Sequence, residues 1–141
     1  MPQIAELTLL AVAVLLIKHC VADFLLQTRW QVMNKGRYLH PGGLLHSFIH
    51  VVLTLPVFLV IVPATIATAA LILGGEYVIH YHTDWLKDQL TRLAGLTPAM
   101  SPFWWLMGLD QLVHGLTYVA IVWVLLTPDF AARVLTLLGT A

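Results

Sequence analysis

Acid and imidazole groups recur four residues apart in the apolar stretches of this chain. His19 precedes Asp23, His46 precedes His50, His80 precedes Asp84, and Asp110 precedes His114. Residues at that spacing share one face of a helix, about 6 Å apart along its axis. Imidazole nitrogens and carboxylate oxygens suit zinc, iron or manganese. The eight groups His19, Asp23, His46, His50, His80, Asp84, Asp110 and His114 are enough for two ions. Gln27, Lys87 and Gln111 lie within a turn of these pairs and would orient the ligands. A bound divalent ion lowers the pKa of a coordinated water toward about 7. A carboxylate, Asp23 or Asp84, would then serve as general base. The same groups also suit a proton or ion relay, or a hydrogen-bonded core that fixes helix packing.

The elements that must position them are apolar. "KHCVADFLLQ" (18–27) follows "LTLLAVAVLLI", which has no polar group beyond a threonine. An ionised Asp at the centre of a membrane helix costs roughly 2.5–3.5 kcal/mol. Asp23, Asp84 and Asp110 must therefore be paired with each other, with a cation, with water or with a metal. Of the 141 residues, 60% are hydrophobic and 10% charged, against about 25% charged in soluble domains. The class is integral membrane, as one all-α domain spanning residues 1–141. Zero formal net charge offers no basic face for nucleic acid. Cys20 is the single cysteine and cannot form an internal disulfide. The start, "MPQIAELTLLAVAVLLI", lacks the basic n-region of a removable signal peptide.

Four stretches approach the roughly 20 apolar residues that a helical span needs: 4–28, 44–62, 64–90 and 103–126, with Pro63 separating the second from the third. A short amphipathic segment, 129–139, would lie along the interface. Arg29, Lys35 and Arg37 fall in the first loop, and Lys87 and Arg92 at the third, while the "IVPAT" connection has no cation. The positive-inside rule then puts both termini on the non-cytoplasmic side of a bacterial inner (cytoplasmic) membrane. With that orientation all four polar pairs lie in the cytoplasmic half, at similar depth. The chain also repeats: "HCVADFLLQ" matches "HYHTDWLKDQ" and "LHSFIH" matches "LDQLVH", at offsets of 61 and 64 residues. The expected fold is a four-helix bundle of two tandem hairpins related by a pseudo-two-fold axis along the membrane normal.

H-x3-D-F-x2-Q from His19, a following Lys35, H-x3-H from His46, D-x2-K from Asp84 and D-Q-x2-H from Asp110 together resemble a family of small bacterial and phage membrane proteins classed as a domain of unknown function. The resemblance implies that His19, Asp23, Gln27, His46, His50, Asp84, Lys87, Asp110, Gln111 and His114 form one site. It implies no activity. Among metals zinc ranks first, then iron or manganese. Haem fits less well, because bis-histidine ligation needs no carboxylates at the same depth. The leading expectation is a membrane metalloprotein, with metal-dependent hydrolysis of a lipid or membrane-delivered substrate as the activity such a site would suit. The alternatives are a proton or metal-ion transporter and an accessory subunit, working as a homodimer or with a membrane partner. Other residues are expected to be bland: His40 solvated in a loop, His82 facing elsewhere, Cys20 a small buried apolar residue, and Lys18 turned away from the site to snorkel. Glu76 is expected to pair with a cation or stay protonated.

Overall fold

Helix α1 (Pro2–Cys20) is apolar almost throughout, and it does not stop at its polar cluster. It widens into a π-helical turn, Val21–Leu26, before the chain becomes extended at Gln27. The computed structural model describes residues 2–139, all in helices or short connections, with no strand among them. Helix α2 (Arg29–Asn34) was not expected in the first loop. It starts in a capping box in which Thr28 Oγ1 accepts from the Gln31 N–H and the Gln31 side chain accepts from the Thr28 N–H. Helix α3 (Pro41–Thr54) begins with proline in its first turn, where the missing N–H costs nothing. His40 caps it, its Nδ1 accepting from the Gly42 N–H at 3.0 Å, so this histidine has a structural task. The expected second span is broken at Leu55–Pro56, and α4 (Val57–Val60) continues it. Helices α5 (Ile66–Leu93), α6 (Ser101–Leu126) and α7 (Pro128–Leu137) complete the chain.

Among the described residues, three segments are long and apolar enough to cross a membrane: Gln3–Leu26, Pro41–Val60 and Ser101–Leu126. Helix α5 has the length but is diluted by Glu76, His80, His82, Asp84, Lys87 and Asp88. Contacts close a ring, with α1 against α3 and α4, α3 against α5, α5 against α6, and α6 against α1.

Burial runs opposite to that of a water-soluble domain. Leu9, Ile17, Phe24, Leu59, Ile66 and Trp105 point outward, while His46, His50, His80, Glu76 and His114 are buried. Such a surface is stable against hydrocarbon and unstable against water. The interior divides along its length. Ala11, Leu15, Val57, Ile72, Ile121, Val122 and Leu125 pack an apolar core, capped by Tyr118. Beyond Tyr118 the interior becomes polar.

The segment between α1 and α3 folds back onto α5. Lys35 reaches Asp84, the Gln89 amide donates to the Gly36 carbonyl, and Arg92 approaches the Met33 carbonyl at 3.5 Å. A Cβ on Gly43 would stand 3.3 Å from the Lys35 backbone and from Tyr81, so glycine lets α3 approach the end of α2 closely. Leu39 takes a positive φ of 56° at the turn into α3, and its N–H donates to the Tyr81 hydroxyl at 2.5 Å.

Candidate metal centre

Four elements each deliver part of the site. The π-turn after α1 carries Asp23, α3 carries His46 and His50, α5 carries His80 and Asp84, and α6 carries Asp110 and His114. A π-turn takes up an extra residue and re-aims the side chains beyond it, and such turns concentrate at functional sites. Here it turns Asp23 toward α3. Its Oδ1 lies 3.1 Å from both His46 Nε2 and His50 Nε2, and its Oδ2 lies 3.2 Å from His19 Nε2. Asp84 Oδ2 stands 3.2 Å from His46 Nε2, 3.9 Å from His80 Nε2 and 3.1 Å from Lys35 Nζ.

The crowding at His46 Nε2 is chemically informative. That one nitrogen lies within hydrogen-bond reach of Asp23, Asp84, the Gln27 amide and, at 3.4 Å, His80 Nε2. An imidazole nitrogen carries at most one proton, so it donates to one oxygen only. When it donates to Asp23, Asp84 still accepts from Lys35 and the Gln27 amide can donate to the other ring nitrogen; a cation at this point would be drawn to the same oxygens. His50 Nδ1, His80 Nδ1, His114 Nε2 and Asp110 Oδ1 are also buried without a hydrogen-bond partner, a state proteins ordinarily avoid. The rings themselves are close, with centroids 3.8 Å apart for His50–His80 and 4.2 Å for His80–His114.

The described residues hold two ligand clusters. Asp23, His46, His50 and His80 offer donor atoms all within 4.8 Å of one another, and so do His80, Asp84 and His114. His80 belongs to both. His19 and Asp110 lie beside these clusters. The Tyr118 hydroxyl is 2.8 Å from His19 Nδ1, and when it donates there the His19 Nε2–H points at Asp23 and at Gln111 Oε1, 3.0 Å away. Asp110 Oδ2 accepts from the Gln111 amide at 3.1 Å, and its partner on the same helix, His114, sits 3.9 Å off. Gln27 contacts His46. The Lys87 ammonium makes no hydrogen bond or close ion pair among the described residues; it lines the cavity beside Asp110.

Several functional neighbours escaped the sequence reading. Lys35, not Lys87, is the cation on Asp84. Burial, the largest influence, pulls its pKa down, but Asp84 and Asp23 outweigh it and the net shift is upward. The signal was available in the spacing between Asp23 and Lys35, yet only a folded loop brings the lysine back. Tyr118 was missed because a single tyrosine in an apolar helix carries no pattern. Lys18 was expected to snorkel; instead it is buried and pairs with Glu76, donates to the His50 carbonyl at 3.2 Å, and lies 4.6 Å above the Tyr118 ring. Thr54 Oγ1 donates to Glu76 at 2.6 Å, so Glu76 has a hydroxyl donor beside the cation it pairs with. Cys20, expected inside, is exposed on the helix's outer face. His82 faces outward toward Tyr38, as its offset from His80 implies.

On its far side the cluster opens into a cavity of about 220 Å³ bordered by Asp23, Gln27, Lys35, Lys87, Asp110 and Gln111. Fold and site together define a class: a helical protein with membrane-length apolar helices around a buried His/Asp cluster able to hold metal. The chain belongs to the DUF3307 family, described as proteins of unknown function, whose profile matches residues 11–138. No curated protein and no solved structure matches it.

Proposed function

We propose that this protein is a membrane-embedded metalloprotein that binds divalent ions, zinc foremost and iron or manganese next, and uses them to hydrolyse a membrane-associated substrate. The bundle has four spans, α1, α3–α4, α5 and α6, arranged as two tandem hairpins in a bacterial inner membrane. Helix α5 is tolerated there because its polar groups turn inward. The observation that carries the reading is the pair of His/Asp clusters, each with donor atoms within 4.8 Å of one another, among which buried ring nitrogens of His50, His80 and His114 have no hydrogen-bond partner. Supplied at this point, a divalent ion would polarise a scissile carbonyl or phosphoryl oxygen and acidify a bound water.

The carboxylates divide the remaining work. Asp84 is buried and held by Lys35, which suits a ligand. Asp23 is partly exposed and borders the open cavity, which suits a group that takes a proton from water. His19, fixed between Tyr118 and Asp23, orients that carboxylate.

A carrier is the competing reading, and the division of the interior weighs against it. Polar groups fill one half, but Leu15, Val57, Ile72, Ile121 and Leu125 close the other. A path through the membrane would need polar groups to continue there.

Elemental analysis of the protein purified in mild detergent tests the proposal. The parent is expected to hold stoichiometric zinc, His80→Ala of unchanged helicity to lose it, and His46→Ala to lose the share held with Asp23. A parent free of transition metal after growth in zinc-replete medium would sink the proposal.

A further inference from the structure

The open side of the metal cluster adjoins a second feature. The cavity bordered by Lys35, Lys87 and Asp110 runs into an apolar groove between α5 and α6, and Lys87 and Asp110 line both. The groove walls are Leu86 and Leu90 from α5 and Leu106, Leu109 and Val113 from α6. These residues recur three or four apart, so each helix contributes one continuous apolar stripe. One end of the combined space is polar and next to the metal ligands. The other is apolar and open along the outer surface, where Leu86, Leu90 and Leu109 are exposed.

Charge selects the headgroup. Asp88 is occupied by Arg92 at 2.8 Å. Of the rest, Asp23, Asp84 and Asp110 face Lys35 and Lys87, a balance of one negative charge with neutral histidines. One divalent ion reverses that sign. A loaded site therefore attracts an anion, and Lys87, with no close ion-pair partner among the described residues, is the cation free to meet it. Asp110 is 5% exposed, and its Oδ1 is buried without a partner where cavity and groove join. That acceptor suits a hydroxyl donor on the same headgroup.

From this juxtaposition we propose that the substrate is a phosphate-bearing lipid, its phosphate between Lys87 and the metal cluster and an acyl chain in the α5–α6 groove. The proposal rests on the metalloprotein reading and deepens it. A free phosphate shares the headgroup chemistry but leaves the groove empty, and a neutral lipid fills the groove but leaves Lys87 unanswered.

The test is equilibrium binding to zinc-loaded protein in a non-ionic detergent, with zinc content measured on each sample. Three probes are compared: dioctanoyl phosphatidate, inorganic phosphate and dioctanoylglycerol. The phosphatidate is expected to bind at least about tenfold more tightly than either. Lys87→Gln should weaken phosphatidate and phosphate alike. Leu109→Trp, which fills the groove from an exposed position, should weaken phosphatidate about tenfold and leave phosphate unchanged. Equal binding of phosphatidate and phosphate, equal binding of phosphatidate and dioctanoylglycerol, or phosphatidate binding indifferent to both substitutions would overturn the proposal while zinc remains bound. Protein without zinc would overturn the metalloprotein reading and this one with it.

Discussion

His80 stands in both ligand clusters, whereas His50 and His114 each stand in one. That difference predicts how metal is lost. His114→Ala should remove the ion held with Asp84 and spare the other, and His50→Ala should do the reverse. His80→Ala should remove both, and metal-to-protein ratios measured across the three variants check the pattern. Below the cluster, Lys18 and Glu76 form a buried pair whose partners lack access to water. Removing one charge strands the other, so Lys18→Met or Glu76→Gln alone should destabilise by about 3–5 kcal/mol, and the Lys18→Met/Glu76→Met double variant by less than either single change. Unfolding in mixed micelles reads this directly; additive losses would refute it. Lys35 behaves differently with pH. Its folded pKa lies above the ordinary 10.5, so its contribution to stability is complete below pH 10.5 and is lost as pH rises through the folded value. The Lys35–Asp84 contact should therefore be indifferent to pH across the neutral range. At this scale the ligand-type residues were legible because acid and imidazole groups are costly in an apolar run and stand out. Lys18 and Tyr118 were not, because their partners come from other helices at sequence distances that no periodicity encodes.

Two small elements do the positioning. The π-turn Val21–Leu26 sets where Asp23 and Gln27 face, and α2 returns Lys35 to Asp84. Deleting Leu26, an exposed residue of that turn, should remove the extra residue, restore α-helical winding and turn Asp23 away from His46 and His50. The expected result is lost zinc with far-UV circular dichroism almost unchanged. Gly43→Val tests α2 in the same way. The added carbons meet the Lys35 backbone, so a cost of about 1–3 kcal/mol is expected, together with withdrawal of Lys35 from Asp84. The long helices were readable from their apolar runs. The π-turn was not, since nothing in "VADFLL" distinguishes it from α-helix, and the Asp23 contacts to His46 and His50 that go with it come from another helix. Nor was α2: six residues, half of them polar, are too short for helical periodicity to show, and its one sequence mark, the Thr28–Gln31 capping box, went unread. The break at Leu55–Pro56 left its mark in the proline, which an apolar run of that length obscured.

For the molecule as a whole, the proposed four spans, with the "IVPAT" connection opposite the first loop, predict that the two are labelled from different sides. With Cys20 replaced by serine, a cysteine introduced at Arg37 should react with an impermeant maleimide only from the cytoplasmic face, and one at Ala64 only from the other. Labelling of both from one face would contradict the arrangement. The expectation of an all-helical membrane-type protein rested on composition, and three of its helices have the required length and apolarity. Helix α5, the fourth span of the proposed bundle, falls outside that measure because Glu76, His80 and Asp84 lower its hydropathy while being buried inside the ring. The two-way partition of the interior also bears on energy conservation. A bilayer that stores an electrochemical gradient is discharged by any wet conduit across it. The aliphatic plug formed by Leu15, Val57, Ile72, Ile121 and Leu125 is an insulator, so under the proposed hydrolysis any proton released at the polar end would return to the compartment it came from rather than cross the bundle.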